Sequence, residues 1–221
     1  QEKFILLANE SPKVWRTLSM KSDTATPFCK LCFHPLEPCS FHRVFRRNCS
    51  VCYRCFSKFS PRWFRFKMEG VSCLAIYPYN ETIRNALYQF KGCGDIELAP
   101  VFLERILFFL KLKYRHYVIV PVPSSPSHDE ERGFNQVVEM FRNLNLPMQF
   151  PITKPFEMKQ SDLNAKQRAR IGEFLRFDET TKITNKPVLL VDDVCTTGST
   201  LKACIRLLKQ HGAKKIQVFV M

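Results

Sequence analysis

The sequence predicts an α/β protein with a mostly parallel sheet flanked by helices, preceded by a small cysteine-rich module. From Glu69 onward, short apolar segments alternate with segments that have helical periodicity. Before that point, six of the ten cysteines fall between Cys29 and Cys55. Near the end, the run 186–200 joins an apolar strand to a helix through two acids and a turn rich in hydroxyl groups. These three observations define the expected architecture.

The alternation places each element in the second part of the chain. Strands that alternate with helices favour right-handed crossovers and therefore a mostly parallel sheet. Gly212 follows the last helical segment and provides a stop signal for it. We expect strands at 71–77, 117–121, 188–191 and 215–221, and helices at 82–90, 97–113, 133–144 and 200–211.

Length and composition limit the class of protein. The 221 residues allow one α/β domain and a small appendage, and the 45% hydrophobic content is typical of a globular chain. No apolar run approaches about 20 residues and no signal-peptide layout is present, which predicts a cytoplasmic protein without a membrane span. The net charge of +14 suits phosphate-rich ligands, nucleic acid or an acidic partner, and it equally suits a solvated surface.

The clustered cysteines favour a structural metal site. Two Cys-x-x-Cys pairs, Cys29 with Cys32 and Cys52 with Cys55, offer the four thiolates of a closed zinc site, which leaves no coordination position for chemistry. Reduced, buried or redox-active cysteines are the alternative. Spare candidate ligands are Cys39, Cys49, His34 and His42.

The run 186–200 has the composition of a ligand site. Val188 to Val191 form a buried strand, and Asp192 and Asp193 follow at its carboxyl end, where open α/β sheets bind ligands. Carboxylates repel phosphate, so these acids are expected to face sugar hydroxyls or a hydrated Mg²⁺ ion.

The turn after the acids is expected to bind phosphate. Its backbone N–H groups and hydroxyls lie at a helix N-terminus, where the unsatisfied donors and the helix dipole favour an anion. An ordinary helix cap is the alternative, but it needs only one hydroxyl residue. The turn contains Thr196, Thr197, Gly198, Ser199 and Thr200.

This run resembles the loop that binds 5-phosphoribosyl-1-diphosphate (PRPP) in type I phosphoribosyltransferases. The resemblance implies the type I phosphoribosyltransferase fold. It also implies that Thr196 to Thr200 hold the 5-phosphate and that Asp192 and Asp193 hold the ribose hydroxyls, directly or through Mg²⁺.

Further segments resemble the ComF family, and with the zinc module the resemblance covers residues 28 to 221. It implies an unassigned extension at 1–27, a zinc-binding module at 28–66 and a phosphoribosyltransferase-like domain at 67–221. The matching segments are Phe90-Lys91-Gly92-Cys93-Gly94-Asp95, Val120-Pro121-Val122-Pro123, Glu131-Arg132-Gly133-Phe134-Asn135-Gln136 and Val51-Cys52-Tyr53-Arg54-Cys55.

The resemblance also implies roles outside the turn. Pro121, Val122, Pro123 and Ser124, with Lys91 and Arg132, are expected to hold the diphosphate. The segment that contains Gln160 and Arg168 resembles the lid over the site in this superfamily. Solvated surface positions are the alternative for Lys91, Arg132 and the basic lid.

The expected function is a phosphoribosyltransferase-like protein of natural competence and DNA uptake, with an unknown acceptor. The alternative is a non-catalytic PRPP-sensing adaptor. It would bind single-stranded DNA and an ATP-dependent helicase/translocase of the ComFA type. Arginines interleaved with aromatic residues at 41–66 suit such DNA binding, although a small module also needs aromatic residues for its own core.

Overall fold

The computed structural model describes residues 28–36, 50–154, 174–183 and 185–221. Its helices are α1 (Tyr53–Lys58), α2 (Glu81–Gly92), α3 (Ala99–Glu104), α4 (Leu107–Tyr114), α5 (Pro126–Arg132), α6 (Gln136–Arg142) and α7 (Ser199–Gln210). Its strands are β1 (Phe64–Met68), β2 (Val71–Ala75), β3 (Val118–Pro121), β4 (Ile152–Thr153), β5 (Arg176–Phe177), β6 (Val188–Asp192) and β7 (Ile216–Val220). None of these helices is long and apolar enough to cross a membrane.

The main sheet has five strands in the order β1-β2-β7-β6-β3. Strands β2, β7, β6 and β3 are parallel, and β1 pairs with β2 in the antiparallel direction. Pro121 at the end of β3 is in register with Val191 near the end of β6. The segments that follow these two strands therefore begin side by side at one edge of the sheet. The mostly parallel α/β sheet expected from the alternation is confirmed.

Both faces of the sheet are buried at β6, as its continuous apolar run predicts. Leu189 and Val191 face a cluster that includes residues of α2, α3 and α6, whereas Val188 and Leu190 face a second cluster that includes α7. The four side chains are at most 1% exposed. Because neighbouring strand residues point to opposite faces, one short strand anchors both layers of the domain.

The prediction of a single helix at 97–113 is wrong. A 3₁₀ turn at Ile96–Leu98 leads into α3, and the chain bends before α4 begins. Arg105, at this bend, donates from Nη1 to the carbonyl oxygens of Phe56 (3.2 Å) and Phe59 (3.3 Å). The interruption therefore coincides with a contact to the cysteine-rich module, which helical periodicity alone does not encode.

The helix expected at 133–144 also begins later. Gly133 has φ of 80° and ends α5, a polar helix with no buried residue that apolar periodicity does not predict. Asn135 then caps α6 by accepting a hydrogen bond from the Val138 N–H at 3.0 Å. The sequence does not predict strand β1, which spans the boundary expected between the zinc-binding module and the phosphoribosyltransferase-like domain at residues 66 and 67.

The cysteine-rich module shares the main core of the domain. Cys29, Cys55 and Phe59 belong to the same buried cluster as Phe90 and Phe102. The Phe59 ring packs edge-on against Phe102 with centroids 6.3 Å apart. The described part of the module therefore packs directly onto the α/β layer.

Candidate functional site

The two acids lie at the carboxyl end of β6. Asp192 is half-buried, and its Oδ1 accepts a hydrogen bond from the Asp193 N–H at 2.9 Å. Burial raises the pKa of Asp192 to about 8, and the adjacent Asp193 carboxylate adds to this rise, whereas the Asp193 N–H and the Lys91 ammonium oppose it. Two adjacent carboxylates in this environment favour a cation or neutral hydroxyl groups as their partner.

Lys91 provides a cation to this pair. It lies in the last turn of α2, and its Nζ forms an ion pair with Asp193 Oδ2. The resemblance implies that Lys91 holds the diphosphate, and in this structure its ammonium is paired with the Asp193 carboxylate. The contact joins residues far apart in the chain, so sequence spacing gives no signal for it.

The turn before α7 presents a helix N-terminus without a side-chain cap. Gly198 adopts φ of 69° as the N-cap residue and has no side chain to cap the helix, and the Ser199 N–H makes only a long hydrogen bond of 3.4 Å to Thr197 Oγ1. Thr197 Oγ1 lies 3.1 Å from Ser199 Oγ, and Thr196 and Thr197 are exposed. The hydroxyls and the first N–H groups of the helix therefore gather at one turn, which suits a phosphate group.

The segment after β3 is held in place by a polar network. The Val122 N–H donates to the Val191 carbonyl at 2.9 Å, which continues the pairing of β3 with β6. Ser124 Oγ donates a short hydrogen bond to Asp129, and Asn135 Nδ2 donates at 2.8 Å to both Ser124 Oγ and Asp129 Oδ2. Asp129 and Asn135 thus support this segment, although only Asn135 lies within the family-like motif.

Arg132 lies in the last turn of α5, and its guanidinium is directed into the protein. Its Nε donates to the Lys91 carbonyl at 3.0 Å, and its Nη1 donates to Gln136 Oε1 and lies 3.6 Å from Asp129 Oδ1. The guanidinium also lies 6.0 Å from the centre of the Phe134 ring. These contacts join Arg132 to both Lys91 and the network around Ser124.

The lid residues Gln160 and Arg168 lie outside the described residues, as do Cys39, Cys49 and His42. His34 is described, and it does not belong to the group of metal-ligand atoms.

The four cysteines Cys29, Cys32, Cys52 and Cys55 come together as the sequence predicts. Their sulfur atoms all lie within 4.8 Å of one another, and those of Cys32 and Cys52 are 3.7 Å apart. A tetrahedral site with zinc–sulfur bonds of about 2.3 Å needs sulfur atoms about 3.8 Å apart. The cluster therefore fits a metal such as zinc.

Hydrogen bonds and burial shift the pKa values of Cys29 and Cys55 in opposite directions. Burial would raise the pKa of Cys29, but backbone hydrogen bonds at Cys52, Cys32 and Leu31 outweigh it and lower the pKa to about 7. Burial raises the pKa of Cys55, and Cys32 and Cys52 add to this effect. Without a metal the four thiolates cannot all be charged, which is the electrostatic reason for a cation at their centre.

Comparisons with known proteins agree with this geometry. A family model described as "Phosphoribosyl transferase domain" matches residues 130–221, which include the segment from α5 to α6, the acids and the turn before α7. The fold and the family match define a phosphoribosyltransferase-like protein.

Relatives that match most of the chain identify the family. Competence protein ComFC of Streptococcus pneumoniae is 32% identical over 187 residues, which cover 81% of this chain and 82% of that protein. Competence protein F of Haemophilus influenzae is 34% identical over 208 residues, covering 87% and 83% of the two chains. The chain belongs to the ComF family of competence proteins.

One solved structure shows a weaker overlap. A purine phosphoribosyltransferase from Pyrococcus horikoshii aligns with a TM-score of 0.34 and 23% identity, over 54% of this chain and 71% of that one. The fold assignment comes from the sheet order and the family match.

Proposed function

We propose that the protein binds PRPP with Mg²⁺ at the sheet edge formed by β3 and β6 and acts as a phosphoribosyltransferase in natural competence. The observation that carries the proposal is the arrangement of three ligand-binding features at this edge. The acids follow β6, the uncapped turn leads into α7, and the segment after β3 begins beside Val191. A ligand with two separated phosphate groups and a polyol between them matches these three features.

The turn from Thr196 to Thr200 binds the 5-phosphate in this proposal. The first N–H groups of α7 have no helical partner, and Gly198 turns the chain so that they point out of the helix end. The hydroxyls of Thr197 and Ser199, 3.1 Å apart, add further donors at the same turn. A doubly charged phosphate satisfies these groups better than water does.

Asp192 and Asp193 hold the ribose hydroxyls and the ion. Carboxylate oxygens are hard ligands of the kind that Mg²⁺ prefers, so the residues at the end of β6 fit this ion. When bound, Mg²⁺ supplies charge neutralisation for the diphosphate. The residues themselves orient the ribose, because the strand end and the Asp193 N–H bond fix the position of the Asp192 carboxylate.

The diphosphate is held after β3, by Pro121, Val122, Pro123 and Ser124 with Lys91 and Arg132, beneath a lid that contains Gln160 and Arg168. Breakage of the bond between ribose C1 and the diphosphate separates charge. The contribution of the protein is therefore mainly electrostatic: cations near the leaving group and carboxylates near the developing positive charge of the ribose. The acceptor is not assigned.

Zinc in the cluster of Cys29, Cys32, Cys52 and Cys55 has a structural role in this proposal. A closed set of four sulfur ligands leaves no position for substrate. The spacing of the sulfur atoms and the burial of Cys29 and Cys55 support this assignment.

The test combines binding and turnover. PRPP and Mg²⁺ are added to the protein in a calorimeter, and diphosphate release is measured across nucleobases and amines as acceptors. We expect binding heat in the wild type and none in the double variant Asp192→Ala and Asp193→Ala. Binding without turnover for any acceptor would favour the sensor, whereas equal binding by the double variant would reject this ligand site.

An exposed aromatic and basic surface favours a second activity, the binding of single-stranded DNA. Tyr53, Trp63 and Phe64 are 65%, 43% and 44% exposed, whereas Phe59 is buried in the core. Arg54, Arg62 and Arg65 are exposed in the same segment. Aromatic rings stack on bases and arginines pair with phosphates, so this surface has both groups that single strands need. A cytoplasmic location and a helicase/translocase partner complete this part of the proposal.

A further inference from the structure

We propose that Lys91 is a built-in counter-cation, which pairs with Asp193 until a divalent cation binds the acids and then moves to the ligand's diphosphate. This inference extends the proposed function, because it assumes that the site receives a phosphorylated ligand together with a metal ion. It assigns Lys91 two successive partners, of which the first is visible in the structure.

The first partner is Asp193. Its side chain is only 8% exposed, and its Oδ2 forms an ion pair with Lys91 Nζ. Among the described residues, this oxygen has the ion pair but no hydrogen bond of good geometry. A buried carboxylate needs a compensating charge, and an ion pair without directional bonds can be exchanged for a better cation.

The backbone of Lys91 is fixed, so that only its side chain can change partner. The neighbouring Phe90 is fully buried and packs on Phe102 and Phe134, each with a centroid separation of 5.3 Å. The Lys91 carbonyl accepts the 3.0 Å bond from Arg132 Nε. Arg132 is therefore a positioning residue, which holds the base of the Lys91 side chain in place.

The second partner in this proposal is the ligand's diphosphate, held beside the segment after β3. Arg132, which donates to the Lys91 carbonyl, also has its Nη1 3.6 Å from Asp129 Oδ1, and Asp129 accepts a hydrogen bond from Ser124 in the proposed diphosphate site. Lys91 is thus linked to the acids through its ammonium and, by way of Arg132, to that segment through its carbonyl group. Its side chain is 28% exposed and has several rotatable bonds, so it can reorient without moving the helix.

Competition for Asp193 has a measurable consequence. A divalent cation and the Lys91 ammonium cannot both bind Asp193 Oδ2 from the same side. The apparent affinity for the cation is therefore lowered by the fraction of molecules in which the ion pair is formed. If the pair is present in about nine molecules of ten, its removal raises the cation affinity about tenfold.

The first experiment titrates Mn²⁺, a spectroscopic substitute for Mg²⁺, into the protein without PRPP and follows free Mn²⁺ by electron paramagnetic resonance. Lys91→Met should bind Mn²⁺ about tenfold more tightly than the wild type, whereas Lys91→Arg should stay near the wild type. Lys58→Met, a change at an exposed lysine in the last turn of α1, is the matched control and should have no effect. Asp193→Asn should abolish Mn²⁺ binding.

The second experiment measures PRPP binding with saturating Mg²⁺ by calorimetry. Lys91→Met should weaken PRPP binding about tenfold, because the diphosphate loses one cation. Circular dichroism of Lys91→Met and of a second variant, Lys91→Gln, checks that both are folded. Unchanged or weaker Mn²⁺ binding in both folded variants would overturn the proposal, and so would unchanged PRPP binding. Absence of PRPP binding by the wild type would instead reject the proposed function, while the Mn²⁺ titration would still test the counter-cation.

Discussion

Gly198 and Asp192 each meet a structural demand of the fold and have a role in the proposed site. Gly198 supplies a left-handed conformation that a side chain disfavours, and its position leaves no space for a Cβ atom beside Met68. Asp192 keeps a carboxyl group where burial opposes its charge. The buried carboxyl of Asp192 has a cost in stability, which is common where a site is organised for binding.

Substitutions of Gly198 and Gly212 distinguish an effect on stability from an effect on PRPP binding. A Cβ atom at Gly198 would lie 2.5 Å from Met68 Cε, whereas one at Gly212, with φ of 87°, would meet nothing within 4 Å. Gly198→Ala and Gly212→Ala should each lower the free energy of unfolding by about 1 kcal/mol, because both positions are left-handed. Only Gly198→Ala should also weaken PRPP binding. Urea unfolding and calorimetry check this, and equal PRPP affinity in both variants would contradict it.

Asp192 should make the ligand-free protein less stable as the pH rises. Its folded-state pKa of about 8 lies above the unfolded value of about 4. Its stabilising contribution is therefore complete below about pH 4 and is lost as the pH rises through 8. Asp192→Asn should remove this slope and raise the melting temperature at pH 8, while PRPP binding is lost.

Asp178→Asn is the control, because the contribution of Asp178 to stability should depend on pH in the opposite direction. Hydrogen bonds from Thr180 and Thr181 lower the pKa of Asp178, so its contribution is present at neutral pH and is lost in acid. Thermal unfolding between about pH 2 and pH 9 measures both variants, because the Asp178 effect lies below the usual carboxyl pKa of about 4. A pH slope unchanged by Asp192→Asn would show that the site carboxyl does not govern it.

At the level of elements, apolar periodicity predicts what the core buries. The strands β3, β6 and β7 and the helices α2 and α7 lie where the sequence places them, because their apolar residues face the two clusters. The sequence does not predict α5, whose side chains remain outside the core, or the bend at Arg105, which depends on carbonyl groups of a distant segment. Contacts between distant residues have no local periodicity.

The same limit applies to the site. The acids, the turn and the four cysteines are visible in the sequence because each group lies in a short segment with its own chemical pattern. The ion pair of Lys91 with Asp193 and the bond from Arg132 to the Lys91 carbonyl join separate segments. Such pairings become visible only when the sheet order brings the segments together.

The cysteine cluster should stabilise the whole domain, since Cys29 and Cys55 lie in the shared core. Cys29→Ser and Cys55→Ser should each lose bound zinc and lower the melting temperature by about 10 °C, the effect of losing roughly 3 kcal/mol in a chain of this size. Cys93→Ser, at an exposed cysteine outside the cluster, is the control. Metal analysis and calorimetric melting measure both effects. Full zinc content in the Cys29→Ser and Cys55→Ser proteins would contradict the assignment.

Across the whole molecule, PRPP binding and DNA binding are assigned to different sets of residues. The net charge of +14 favours contact with polyanions in general. The proposed PRPP site uses the residues that follow β3 and β6, whereas the proposed DNA site uses Trp63 and Phe64 at the start of β1. Binding of PRPP and binding of DNA should therefore be separable by substitution.

Single-stranded DNA binding should depend on salt and not on the acids. If Arg54, Arg62 and Arg65 each contact one phosphate, the logarithm of affinity should fall with the logarithm of salt with a slope of about −2. Trp63→Ala should weaken binding about tenfold, because one stacking partner is lost. Fluorescence anisotropy with a labelled oligonucleotide measures both.

Two controls define this DNA test. Phe150 is 54% exposed and follows the bridge of Met148 to Ile119, at the β3 edge of the sheet, so Phe150→Ala should leave DNA binding unchanged. The double variant Asp192→Ala and Asp193→Ala should bind DNA as the wild type does. Equal losses in Trp63→Ala and Phe150→Ala would mean that the surface around β1 is not the DNA site.

A crystal structure of the protein with PRPP and Mg²⁺ tests the central claim most directly. It should place the 5-phosphate at Thr196 to Thr200, the ribose hydroxyls at Asp192 and Asp193, and the diphosphate beside Ser124, with the Lys91 ammonium moved from Asp193 to the diphosphate. A complex with PRPP bound elsewhere, or bound at this edge with its 5-phosphate away from the turn before α7, would contradict the claim.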